Sequence, residues 1–143
     1  MNPEQEQMLL DALKALRAGD FSVQIPGDQP GMAGEIAETL NGLVQTIQQF
    51  NTEATRLFRE IGGEGRFGGQ AEIPGVHGAW YNLTLNMNAM AANLTCQVRD
   101  LSRTLEAATL GQPVRPLSFP VAGEMERVFR HATTLTAGPK NIK

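Results

Sequence analysis

A chain of 143 residues with a net charge of −3 has the size of one ordinary domain or a few small modules, and too little charge to recruit nucleic acid. Aromatic residues make up 6%, with one Trp and one Tyr, which argues against a large interdigitated core and for thin helical modules that borrow a neighbour's surface. A single cysteine excludes an internal disulfide framework and a cysteine metal cage.

The opening Met-Asn-Pro-Glu-Gln-Glu-Gln is acidic and polar, unlike a secretory leader, and no apolar run is long enough to cross a bilayer. The expectation is a cytoplasmic chain without membrane insertion. Two glycosylation patterns, at Asn82 and Asn93, fall in predicted helix and are discounted. From Glu4 to Ala18 a first helix is predicted, with Leu9, Ala12 or Leu13, and Leu16 on one face and Gly19 as its terminator. Asp20 to Pro26 is extended, because Pro26 forces the preceding residue out of helical space, and Gly27 to Gly31 is turn-rich.

A second helix is expected to begin near Gly34-Glu35. Its seam, Ile36, Leu40, Leu43, Ile47, Phe50, Ala54, Leu57 and Ile61, steps by four and three without a break. About 28 residues at ~1.5 Å each make a rod of roughly 42 Å, which argues for a coiled coil. Gly62 and Gly63 should stop it, and a glycine-rich loop runs to Gly78. The third helix, Trp80 to about Leu110, has the seam Leu83, Met87, Met90, Leu94, Val98, Leu101, Leu105 and Ala108, with a stutter around Leu94. Gly111 ends it, Val114 to Val121 is an extended connector, and Gly123-Glu124 opens a last helix with Met125, Val128, Ala132 and Leu135 inside.

These segments repeat with a period near 46 residues. Phe21 in Gly-Asp-Phe matches Phe67 in Gly-Arg-Phe, and Ile25-Pro26 matches Ile73-Pro74 after a two-residue insertion. Ile36, Leu40 and Leu43 fall on Leu83, Met87 and Met90, then on Val128, Ala132 and Leu135. The connector is too long for a tight antiparallel turn and can carry the chain back along the first helix, making the two helices of each unit parallel. Two such helices with a narrow seam cannot close a core, whereas a second copy of the chain completes a four-helix bundle.

This helix, glycine, connector, Gly-Glu, helix pattern resembles the HAMP domain, the signal-relay module of histidine kinases, chemoreceptors and adenylyl cyclases. The phrases around Arg59 to Val76 and Asn86 to Thr95 are similar to the poly-HAMP arrays of hybrid histidine kinases. The resemblance places connector anchors at Phe21, Ile25, Phe67, Ile73 and Leu117 or Phe119. Helix-stop glycines fall at Gly19, Gly65 and Gly111, and helix-start glutamates at Glu35 and Glu124. The middle unit departs with Gly78-Ala79, and the third with Pro113 in the place of an anchor. It implies an all-α fold of tandem HAMP-like units, residues 4–52, 53–97 and 98–137 with a disordered tail 138–143, forming parallel homodimeric four-helix coiled-coil bundles. It further implies a relay between an upstream sensor and a downstream output, with no chemistry, cofactor or metal in the module itself.

Competing readings attach to single features. Gly63 to Gly68 matches a nucleotide-binding glycine fingerprint, but follows a helix rather than a strand and leads into Gln-Ala-Glu-Ile-Pro, so backbone geometry explains it better than phosphate. His131 is followed by Ala-Thr-Thr rather than the acidic neighbour of a phospho-accepting histidine, and reads as solvated helix. His77 stands alone in a loop. Cys96 is expected to be a partly buried structural thiol, and Arg99, Asp100, Arg103 and Glu106 a solvated face. A scaffold without signalling would need the seam but not the repeated glycines and anchors.

Overall fold

The computed structural model describes residues 1–113, 117 and 121–137. The expectations for Val114, Pro116, Phe119 and Pro120, and for the tail 138–143, lie outside the described residues. Among the described residues the chain is all-α, with four α-helices and no strand: α1 (Pro3–Arg17), α2 (Gly31–Phe58), α3 (Gly78–Leu110) and α4 (Gly123–Ala137). Among the described residues no helix is long and apolar enough to cross a membrane.

Local chemistry sets the ends of α1. The Asn2 side chain accepts the Gln5 N–H at 2.8 Å and the Gln5 side chain accepts the Asn2 N–H at 2.9 Å, a capping box around Pro3 at the first helical position. At the other end Gly19 has φ +92° and the Asp20 N–H reaches back to the Ala15 carbonyl at 2.9 Å.

Three boundaries differ from the sequence expectation. α2 begins at Gly31, a turn before Gly34-Glu35, so Glu35 lies inside the helix rather than at its start. α3 begins at Gly78, two residues before Trp80. In both cases the first residue is a glycine at positive φ, as is Gly123 at the start of α4. The counterpart of Gly123 is therefore Gly31, not Gly34. The seam of α2 does not remain α-helical to Ile61 either: the α-helix ends at Phe58 and Arg59–Gly63 forms a π-turn.

The chain divides into two compact units, residues 1–59 with 71–84, and residues 60–70 with 85–143. In the first, Ala12 of α1 is buried against Leu40 and Val44 of α2, with Leu9, Leu16, Val23 and Ile25 packed around them. The Gln5 side chain, in the first turn of α1, donates to Gln29, just before α2, at 2.5 Å. Early residues of α1 thus meet the beginning of α2 and later ones meet its middle, so the two helices run parallel. The connector climbs back between them, because Ile25 lies beside Asn41 whereas Gln29 lies beside Gly34.

Candidate functional site

The features with a recurring, specific geometry are the connectors and the helix stripes they cover. In the first connector Phe21, Val23 and Ile25 are all half-buried, an alternation that turns every second side chain toward the helices. Ile25 is fixed through its backbone: its N–H donates to Asn41 Oδ1 at 2.9 Å and its carbonyl accepts from Asn41 Nδ2 at 2.7 Å. Sequence reasoning missed both Val23 and Asn41. Phe21 lies outside the cluster formed by Ala12, Leu40 and Val44.

The second connector has a polar tether. Glu53 Oε2 accepts the Glu72 N–H at 2.9 Å while the Arg56 guanidinium holds the same carboxylate at 2.8 Å. The Arg56 bond, then the Glu72 N–H, pulls the Glu53 carboxyl below the ordinary glutamate value of 4.5. Nearby, Ala71 and Ile73 are buried and the Phe50 and Trp80 rings meet at a centroid distance of 5.7 Å, tilted by 59°. In the second unit Phe67 is half-buried, and the following Gly68 N–H donates to Thr95 Oγ1 at 3.2 Å. Leu117 is exposed.

The helix seam divides into two classes of residue. At the central position of each repeat, Leu40, Met87 and Ala132 are 8, 8 and 4% exposed, whereas the residues three further along the same seam, Leu43, Met90 and Leu135, are 42, 46 and 66% exposed. Leu83 and Val128 are likewise exposed and their counterpart Ile36 is half-buried. Ile47, Ile61 and Leu94 are half-buried and Leu57 is fully buried. Within one chain Val128 and Leu135 are exposed, and among the described residues of α4 the buried positions are Phe129 and Ala132.

A second buried stripe lies one residue beside the seam and is made mostly of small or hydroxylic residues, with Val44 and Phe129 the larger members. Ala37, Thr84 and Phe129 occupy one recurring position, Val44 and Ala91 another. The buried threonines satisfy themselves: Thr84, Thr95 and Thr104 donate to the carbonyls of Trp80, Ala91 and Asp100 at 2.8–2.9 Å. Each then presents a methyl group, which is why a polar residue occupies an apolar stripe. In the second unit Met87, Ala91 and Thr95 form one stripe of α3, and Asp100, Thr104 and Ala107 another on roughly the opposite face at ~100° per residue. Asp100 is therefore not on a solvated face; its buried carboxylate pairs with Arg103 one turn on. Cys96 is exposed rather than partly buried.

Gly19, Gly65 and Gly111 all have positive φ at the helix stops. The Gly63–Gly68 loop follows the π-turn and opens no helix until Gly78, so it lacks the strand-to-helix setting that phosphate binding needs. Among the described residues no group of His, Cys, Asp and Glu is placed to hold a metal ion. No family model matches the chain, and no solved structure matches it.

Proposed function

We propose that this chain is a non-enzymatic signal-relay module, an array of HAMP-like units that works as a parallel homodimer, with a second copy covering the seam. One observation carries the reading: the same seam position is left exposed in all three repeats, at Leu43, Met90 and Leu135, while Leu40, Met87 and Ala132 beside it are buried. A monomer gains nothing from a large apolar side chain exposed at the same place in every repeat. A parallel partner buries each of them, at about 1 kcal/mol apiece for half a Leu or Met side chain. The parallel α1 and α2 of the first unit also support it, because Leu40 packs inward with Ala12 and the connector residues Val23 and Ile25 while Leu43 stays exposed.

In this reading the upstream sensor alters the packing at one unit, the connector anchors Phe21, Ile25, Phe67 and Ile73 seat differently, and the next seam repacks before the output. The adaptable Met87 and Met90 suit a bundle that exchanges packings. The test uses Leu43→Cys and Met90→Cys in a Cys96→Ser background. Each should crosslink to the same position of a second chain, and light scattering should give twice the chain mass. A monomer without crosslinks refutes the dimer. If the dimer forms, Phe21→Ala should change the crosslinking rate at Met90→Cys; an unchanged rate refutes the relay and leaves a scaffold.

A further inference from the structure

The three helix stops are built on one plan, with a single departure. Leu9, Ala12 and Leu16; Ala54, Leu57 and Ile61; and Leu101, Thr104 and Ala108 share the same three-then-four spacing, and the central residue of each trio is buried. After the first trio the Asp20 N–H closes onto the Ala15 carbonyl, and after the third the Gln112 N–H closes onto Ala107, both at 2.9 Å. Both are the six-to-one bond of a glycine cap. After the second trio the Arg66 N–H closes onto Glu60 at 2.7 Å, one residue wider, although Glu60 precedes its seam residue just as Ala15 and Ala107 precede theirs. The surplus residue sits in the π-turn Arg59–Gly63, the geometry by which a helix absorbs an insertion.

This terminus also differs in having three glycines that can take the left-handed cap, Gly62, Gly63 and Gly65, where the others have only Gly19 and Gly111. Gly65 takes it, at φ +66°, and Gly63 is helical. We infer that the end of α2 is a two-state switch: a π-turn capped at Gly65 exchanges with an α-turn capped at Gly63, which hands Glu64 and Gly65 to the connector ahead of Phe67. The exchange lengthens the tether of the Phe67 anchor without disturbing Ala54 and Leu57. It rests on the wider closing bond and the spare glycine Gly63, and is independent of the oligomeric state.

The experiment is backbone NMR of the full chain. Relaxation dispersion is expected at residues 60–66 and absent at 15–20 and 107–112, with amide protection at least tenfold lower in the first segment. Gly63→Ala removes the alternative cap and should quench the dispersion; Gly65→Ala makes the observed cap strained and should move the shifts of residues 60–66 toward the minor state. Equal protection at all three stops, or dispersion that survives both substitutions unchanged, overturns the proposal, and the wild-type comparison decides it even if a variant fails to fold.

Discussion

Replacing Asn41 by Ala removes the two bonds that hold the Ile25 backbone, the N–H to Oδ1 at 2.9 Å and the Nδ2 to carbonyl at 2.7 Å. Both groups of Ile25 are partly shielded, so water replaces the lost partner incompletely and each bond contributes about 0.5–1.5 kcal/mol, for a total loss of about 1–3 kcal/mol. Asn41→Asp is the sharper variant. It keeps an acceptor for the Ile25 N–H but sets a second carboxylate oxygen against the Ile25 carbonyl, two acceptors facing each other, and should be destabilised at least as much at neutral pH. Urea denaturation followed by circular dichroism measures both. Lowering the pH should rescue Asn41→Asp in part, because a protonated carboxyl can donate to the carbonyl, and should leave Asn41→Ala unrescued. A loss below ~0.5 kcal/mol for Asn41→Ala, or an Asn41→Asp protein as stable as wild type, would refute the claim that this amide docks the connector.

Further outcomes follow from the packing. Leu57→Ala should cost about 2–5 kcal/mol in the same denaturation assay, since Leu57 is fully buried and its loss leaves a cavity. Gly34→Ala and Gly42→Ala should have opposite signs in thermal melts: a methyl on Gly34 runs into the Gln29 carbonyl oxygen, while Gly42 faces open space and should gain up to ~1 kcal/mol of helix propensity. Glu53 has its pKa lowered by Arg56 and the Glu72 N–H, so its contribution is fully present above the ordinary value of 4.5 and is lost as pH falls through the lower folded value. Glu53→Gln should therefore flatten the acid limb of the stability profile relative to wild type. An unchanged acid limb would mean that the tether to Glu72 contributes no stability.

Much of the fold was legible because glycine, proline and seam spacing act locally. The stop at Gly19 needs only the left-handed freedom of one residue, and the connector before Pro26 only a steric clash, so neither depends on what lies across the chain. The helix starts were misplaced at Gly34 and Trp80 because a start needs no particular side chain: α2 has no side-chain cap at all, and Gly31 and Gly78 merely let the chain turn in. The π-turn was hidden because Ile61 keeps its seam spacing through it.

The site was less legible than the fold. A seam of large residues is conspicuous in a sequence, but which of them face their own connector and which face outward depends on where that connector lies. Ala37, Thr84 and Thr95 carry no strong apolar signal, yet they are buried: Ala37 is small, and the two threonines satisfy their hydroxyls on the preceding turn. A search for Ala and Thr at three-and-four spacing beside the seam could have found them. Asp100 was misread for the same reason: a carboxylate in a run of charges looks solvated until the fold buries it beside Arg103.

The sequence alone determined four helices and the glycine stops of α1 and α3, because glycine stops and periodic apolar spacing are local properties of the backbone and its side chains. The parallel course of α1 and α2, expected from the connector's length, holds in the first unit; only the tertiary structure decided that Asn41 docks Ile25 and that Leu43, Met90 and Leu135 are the seam residues left uncovered. Those outcomes depend on the path the connector takes back along the helices, and that path is fixed by contacts between residues far apart in the chain.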